Sequence, residues 1–454
     1  MSFDPPTTPA EIRPLTGTVS LFQATTIGTP PTGSFRPFQV MRSKNRFNFC
    51  LLTAAWWIAL CPALAAAAPF VPASDAHVLE RLPSRSTDPR ARELQDLRAA
   101  WRGQPQDVVA SVNLARAYYN AVAAEGDPRY IGYAQAALAP WWTLPDPTAD
   151  VRVLRAILRQ FDHRFDEALV DLDAAIASNP NNAEAWSWRA AIHMVQANYP
   201  QARRSCDALA PLTSALIAAA CTAQVDSTTG RTKQAADMLR KALQSASTGS
   251  VNAQSPPASQ RLWALTRLAE IEERHGAYPQ AEAAFREAMG LNINDVYLHA
   301  AYADFLLDQG RAAEVPALLK DRGRADVLLL RQVLAAQILG APEAAALSRE
   351  LGARFDAARL RGDTTHLKEE SRYVRALKGA SDPASAATAL KLAVENFAEQ
   401  REPADARILL EAAITAKQPA AAVPAAQWMA ASGIDSVVLK KLAAQVAALP
   451  RAKP

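Results

Sequence analysis

Glycine is scarce in this chain, 17 in 454 residues. A fold of many short strands spends glycine at its turns, so the shortage argues against a loop-rich all-β architecture. Aromatic residues make up 7% of the chain against 50% hydrophobic overall. Ala and Leu supply most of that half while Val and Ile are sparse, a balance that favours helix over sheet. A surplus of positive charge is also missing. Residues 1–67 hold five basic side chains (Arg13, Arg36, Arg42, Lys44, Arg46) against Asp4 and Glu11, and the remainder holds 44 basic and 43 acidic ones. A nucleic-acid binder needs excess Lys and Arg to displace counterions, so no nucleic-acid partner is expected. Catalytic signatures are lacking as well: there is no Gly-rich phosphate loop, no Gly-x-Ser-x-Gly elbow and no His-Glu-x-x-His zinc helix. No enzyme, cofactor or metal is expected.

The N-terminal part carries a targeting pattern. Arg42, Lys44 and Arg46 precede an apolar run from Phe49 to Leu64, broken only by Thr53 and Pro62. Ala63 and Ala65–Ala68 follow, small enough for a signal peptidase. Residues 41–68 therefore read as a signal peptide and the protein as periplasmic or secreted. The alternative is an uncleaved anchor facing the periplasm, because 47–70 is nearly long enough to span a bilayer. Leu60 before Cys61 argues against a lipoprotein site. Residues 1–40 are rich in Pro and Thr without helical period and read as a disordered extension. Since a signal should begin a chain, Met41 is the expected start. Residues 69–92 form a linker.

From there on the chain is periodic. A small residue pairs with another small or modest one twelve positions later: Ala156/Ala168, Ala190/Ala202, Ala223/Ala235, Ala269/Ala281 and Ala303/Val315. A turn position follows each first member by seven: His163, Ala197, Gly230, Gly276 and Gly310. First members are spaced 34, 33, 46 and 34 apart, the long step absorbing a polar run at 245–257 expected to be a loop. Small residues on both helices of a pair let the axes approach closely. Larger ones such as Trp186, Tyr199, Leu265, Tyr278 and Phe285 fill the space between pairs, and stacking buries what one pair cannot.

Ala185–Trp186 through Ala190, His193, Ala197, Tyr199 and Ala202 resemble the tetratricopeptide repeat signature, as do Ala269, Gly276, Tyr278, Ala281, Phe285 and Ala288. The run 179–182 resembles the Pro-containing link between repeats. The resemblance implies an all-α fold, a right-handed superhelical stack of antiparallel pairs. Its units are a degenerate repeat at 93–147, an array at 148–325 and a helical extension at 326–454 that caps the stack. It also implies a protein- or peptide-binding scaffold supporting assembly or transport of other envelope proteins. Two alternatives stay open: a structural subunit of a membrane complex held by an uncleaved N-terminal helix, and an enzyme working through His366, Glu369, Glu370 and Arg372.

In such arrays the first helix of each pair lines the concave side. Counting one residue beyond the small seam selects Trp263, Thr266, Glu270 and Arg274 on one helix and Tyr297, Asp304 and Asp308 on the next. Aromatic and acidic side chains suit an extended peptide with basic groups. Cys206 and Cys221, the two cysteines beyond the signal, fall on consecutive helices that pack together in such arrays. They are either a disulfide, as export favours, or two buried thiols.

Other constellations have bland readings beside sharp ones. His366 and Glu370 share a helical face as two metal ligands might, but no further ligands are visible. The bland reading is a helix start with Arg372 and Arg375 pairing outward. The charged run 401–407 is either solvated or joined to 361–372 by a polar contact. Trp141 and Trp142 form a hydrophobic cap or line a pocket.

Overall fold

The computed structural model describes residues 88–248, 256–362, 365–379 and 381–450. The expected signal at 41–68, the stretch 1–40 and linker residues 69–87 lie outside these. Among the described residues all regular structure is helical. Helix α1 (Pro89–Gly103) leads into the compact unit that holds residues 96–454. An antiparallel pair follows, α2 (Val108–Glu125) and α3 (Arg129–Ala137), closed by the short α4 (Ala139–Trp142).

The repeats then appear as α5 (Ala149–Phe161) with α6 (Phe165–Ser178), α7 (Ala183–Val195) with α8 (Tyr199–Leu209), α9 (Ala215–Thr228) with α10 (Thr232–Thr248), and α11 (Ala258–His275) with α12 (Tyr278–Gly290). Every expected seam residue is buried, nine of the ten having no more than a trace of exposure and Ala190 3%. All five expected turn residues have positive φ, between 56° and 85°. One left-handed residue reverses the chain within a link of two or three residues, which is how a helix is stopped and its last carbonyls satisfied in so little space. His163 and Ala197 adopt it without being glycine, at φ 56° and 60°. Of the run 245–257, residues 245–248 end α10 and residues 249–255 lie outside the described residues.

The fifth pair is incomplete. Helix α13 (Val296–Asp308) is regular, but its partner is a 3-10 turn (Ala312–Glu314) followed by the four-residue α14 (Val315–Leu318). Pro316 sits in the first turn of α14 and lacks the amide a longer helix would need behind it. The extension continues as α15 (Asp326–Leu339), α16 (Ala344–Leu360), α17 (Leu367–Val374) with a π-helical turn at Arg375–Gly379, α18 (Pro383–Glu399), α19 (Pro403–Thr415), α20 (Val423–Ser432) and α21 (Val437–Ala447). Asp382 caps α18 through the Ala384 and Ser385 amides. Glu402 and Asp405 form a reciprocal capping box on α19. Ser436 caps α21 through the Leu439 amide.

The extension does more than cap the stack, because from α17 onward it folds back along the turns of the array. His163 meets Gln400 side chain to side chain, and the Arg401 amide donates to the Val195 carbonyl at 2.8 Å. A Cβ on Gly230 would stand 3.0 Å from the Gly433 carbonyl oxygen, and one on Gly276 3.2 Å from Val437. Trp428 donates to the Tyr199 hydroxyl at 2.8 Å. Four of the five tight turns thus form an edge against which the extension lies.

Arg372 and Arg375, expected to pair outward, turn inward instead. Arg372 clasps Asp304 of α13 at 2.9 and 3.1 Å, and Arg375 reaches Glu411 of α19 at 2.6 Å. Lys368 lies 3.4 Å from the fully buried Asp405, so the charged segments 361–372 and 401–407 do meet. Trp141 and Trp142 are half-buried, and their carbonyl end is held by Arg155, which donates to the Trp142 and Leu144 carbonyls while pairing with buried Asp171.

A chamber between array and extension

The concave wall of α11 and α13 is charged, and each charge has a local reason for its position. Seam residues Ala269 and Ala303 face their own pair, so Glu270 and Asp304, rotated about 100° around the helix, face across the groove. Asp304 receives Arg331 of α15 at 2.6 and 3.1 Å in addition to Arg372. Burial alone would raise its pKa, but the two guanidinium groups hold it well below the usual carboxylate range. Asp308 takes Arg407 of α19 in a two-pronged pair, with one bond at 2.7 Å. The Tyr297 hydroxyl donates to Glu270, and Arg267 both pairs with Glu270 at 3.0 Å and stacks 4.5 Å over the Tyr297 ring.

Two cavities remain where this wall meets the extension. The first, about 170 Å³, runs from Gly126 and Val296 to His366, Lys368 and Glu369 of the α17 segment. The second, about 210 Å³, lies between Tyr199, Ser227 and Arg274 on the array and Arg401–Ala404 with Leu439 on the extension. They adjoin along Glu270, Tyr297, Ala301, Asp304 and Ala404, which line both.

The seven groove positions read from the sequence therefore divide. Glu270, Tyr297 and Asp304 line both cavities and Arg274 lines the second. Asp308 is consumed by Arg407. Trp263 and Thr266 belong to neither lining. Trp263 sits in the main apolar core, and the Thr266 hydroxyl bonds back to the Leu262 carbonyl inside its own helix. Along α11 the selected positions in its C-terminal half line the cavities, while a turn earlier neighbouring helices close over them.

Glu273 was not among the positions read from the sequence, and Glu369 entered only through the enzymatic alternative. Glu273 stands one turn beyond Glu270 on α11, and its carboxyl group makes no hydrogen bond or ion pair among the described residues. Burial, then the nearby Asp308, Asp304 and Glu270 carboxylates, push its pKa up to about 8. Arg274 donates to the Ser227 hydroxyl at 3.1 Å but meets no carboxylate, and burial lowers its pKa. Glu369 is 5% exposed and lines the first cavity, again without a hydrogen bond or ion pair among the described residues. The i, i+3 spacing of Glu270 and Glu273 was a usable signal. That Glu369 would face α13 was not, because it depends on how α17 folds back.

The His366 ring is buried against Phe355 at 6.0 Å, while Glu370 pairs with Arg359. No cluster of three or more metal-binding side chains exists among the described residues, and none of their helices is long and apolar enough to cross a membrane. The Cys206 and Cys221 sulfurs of α8 and α9 are at disulfide distance, with Cα atoms 5.6 Å apart.

No protein-family pattern and no curated protein matches this chain. Solved structures align with most of its length at low scores. The human IFIT1 dimer with m7Gppp-AAAA is 12% identical over 77% of this chain and 87% of its own, at a TM-score of 0.39. Yeast Tom70 is 11% identical over 80% and 95%, at 0.30. The P58(IPK) TPR domain is 14% identical over 80% and 94%, at 0.19. Among the described residues the fold is all-α, built of antiparallel helix pairs.

Proposed function

We propose that this protein is a binding scaffold of the bacterial cell envelope, exported through the 41–68 signal, that holds protein or peptide partners without a catalytic step of its own. The observation that carries this reading is the concave wall itself. Asp304 and Asp308 each accept a guanidinium through two bonds from a helix that is not their repeat neighbour. Bidentate pairs of this kind recognise basic segments by geometry as well as charge. The extension occupies part of that wall, so partners engage the chamber and its rim, and the assembly or transport of other envelope proteins is the role it serves.

Crosslinking in intact cells, with wild type beside Tyr297→Ala, tests this. A specific envelope protein captured by wild type and lost from a variant with unchanged helicity supports the scaffold; equal capture by both removes the groove from the interaction. N-terminal sequencing of soluble and membrane fractions separates a cleaved, released protein from an anchored subunit. Export also makes Cys206–Cys221 a disulfide in this proposal. Closing a fifteen-residue span contributes about 3 kcal/mol. Reduction under native conditions should therefore lower Tm by several degrees, and no change would count against a structural bond.

A further inference from the structure

Charges buried beside a cavity ordinarily find partners, because an unmatched one costs several kcal/mol. In the chamber most do: Asp304, Glu270 and Arg407 are all satisfied by other side chains. Of the remaining charges, Glu402 is spent on the α19 cap and Arg401 is exposed to solvent, which leaves three side chains without an ion pair. Glu369 opens on the first cavity, while Glu273 and Arg274 open on the second. Glu273 and Arg274 cannot neutralise one another, since consecutive residues on a helix point about 100° apart. The leftovers are thus two carboxyl groups and one guanidinium, distributed over two adjoining spaces whose combined volume reaches the lower part of the ~300–1,000 Å³ typical of small-molecule sites.

We propose that the chamber binds a basic amino acid, free or as the C-terminal residue of a peptide. Its carboxylate meets Arg274, its α-nitrogen lies toward Glu273, and its distal ammonium or guanidinium reaches Glu369. The aliphatic stem passes Tyr297 and Ala301, which are common to both cavities. Two cationic groups and one anionic group complement the three side chains that lack an ion pair, which neither a diamine nor an apolar amino acid does. Burial and the neighbouring carboxylates keep Glu273 protonated up to about pH 8, and a cation placed against it would favour its ionised form. The inference stands on the chamber alone and needs no protein partner, so it can succeed or fail separately from the scaffold reading.

Isothermal calorimetry on the full chain tests it, with L-lysine, L-arginine, a tripeptide ending in lysine, putrescine, L-leucine and L-glutamate as probes. Lysine or arginine should bind at least tenfold more tightly than putrescine, leucine or glutamate. Glu369→Gln and Arg274→Gln should each weaken it on the order of tenfold. Tighter binding of the tripeptide than of the free amino acid assigns the site to peptide ends, and the reverse assigns it to the free metabolite. No binding by any basic probe, or equal binding of lysine and putrescine, overturns the proposal. That comparison uses wild type only, so it decides even where a variant fails to fold.

Discussion

Asp304 is where two parts of the chain are tied at a single side chain. It accepts bonds from Arg331 on α15 and Arg372 on α17, and all three side chains are mostly buried. Removing its charge leaves two guanidinium groups without an anion, and breaking a buried pair costs more than the pair gains. Asp304→Asn should lose about 3 kcal/mol, measured by urea denaturation. A loss below about 1 kcal/mol would mean that solvent reaches the site freely. Glu273 gives the opposite sign. Its pKa, about 8 in the folded chain, lies above the ordinary 4.5, so its contribution to stability is complete below pH 4.5 and disappears as pH rises through 8. Glu273→Gln should match wild type near pH 4.5 and gain on it steadily up to pH 8.5. Melting curves across that range read the difference, and a constant offset would refute the assignment.

Among the elements, the turns at 163, 197, 230, 276 and 310 carry two duties that can be separated. Each must be left-handed to reverse the chain. Gly230 must additionally admit the Gly433 carbonyl, whereas a Cβ on Gly310 would meet nothing within 4 Å. Gly310→Ala should therefore cost about 1 kcal/mol from backbone conformation alone. Gly230→Ala should cost about 2 kcal/mol or more, with faster amide exchange in α20 and α21 as their seat is pushed away. Equal costs would show that the extension yields at that contact. Trp263 belongs at this scale too. It reads as a groove residue from its position on α11, but it is 6% exposed and packed in the core, so its truncation perturbs folding rather than recognition.

For the whole molecule, the placement of the extension has consequences for folding. Solenoid repeats contact only their neighbours, and such arrays unfold piecemeal when long. Here α2 also reaches the fifth pair, where Asn294 donates to the Ala124 carbonyl at 2.7 Å, and α17–α21 cross several turns. These long-range contacts couple repeats that would otherwise be independent. Unfolding from 96 to 450 should be one cooperative transition, with amides of α11 and α19 exchanging at the same free energy. Separate transitions for array and extension would sink this.

What the sequence determined by itself was local. Helix pairs, alanine seams, left-handed turns and the caps of α18 and α19 follow from spacing and from side chains acting within a few residues of themselves. The incomplete fifth pair, the fate of Arg372 and the chamber did not, because they depend on which distant surface the extension meets. Glu369 and Glu273 are 96 residues apart in the chain, and no periodicity relates them. Only the return of α17–α21 across the array brings the two carboxyl groups to adjoining cavities, since side-chain charge selects its partner in space and not along the backbone.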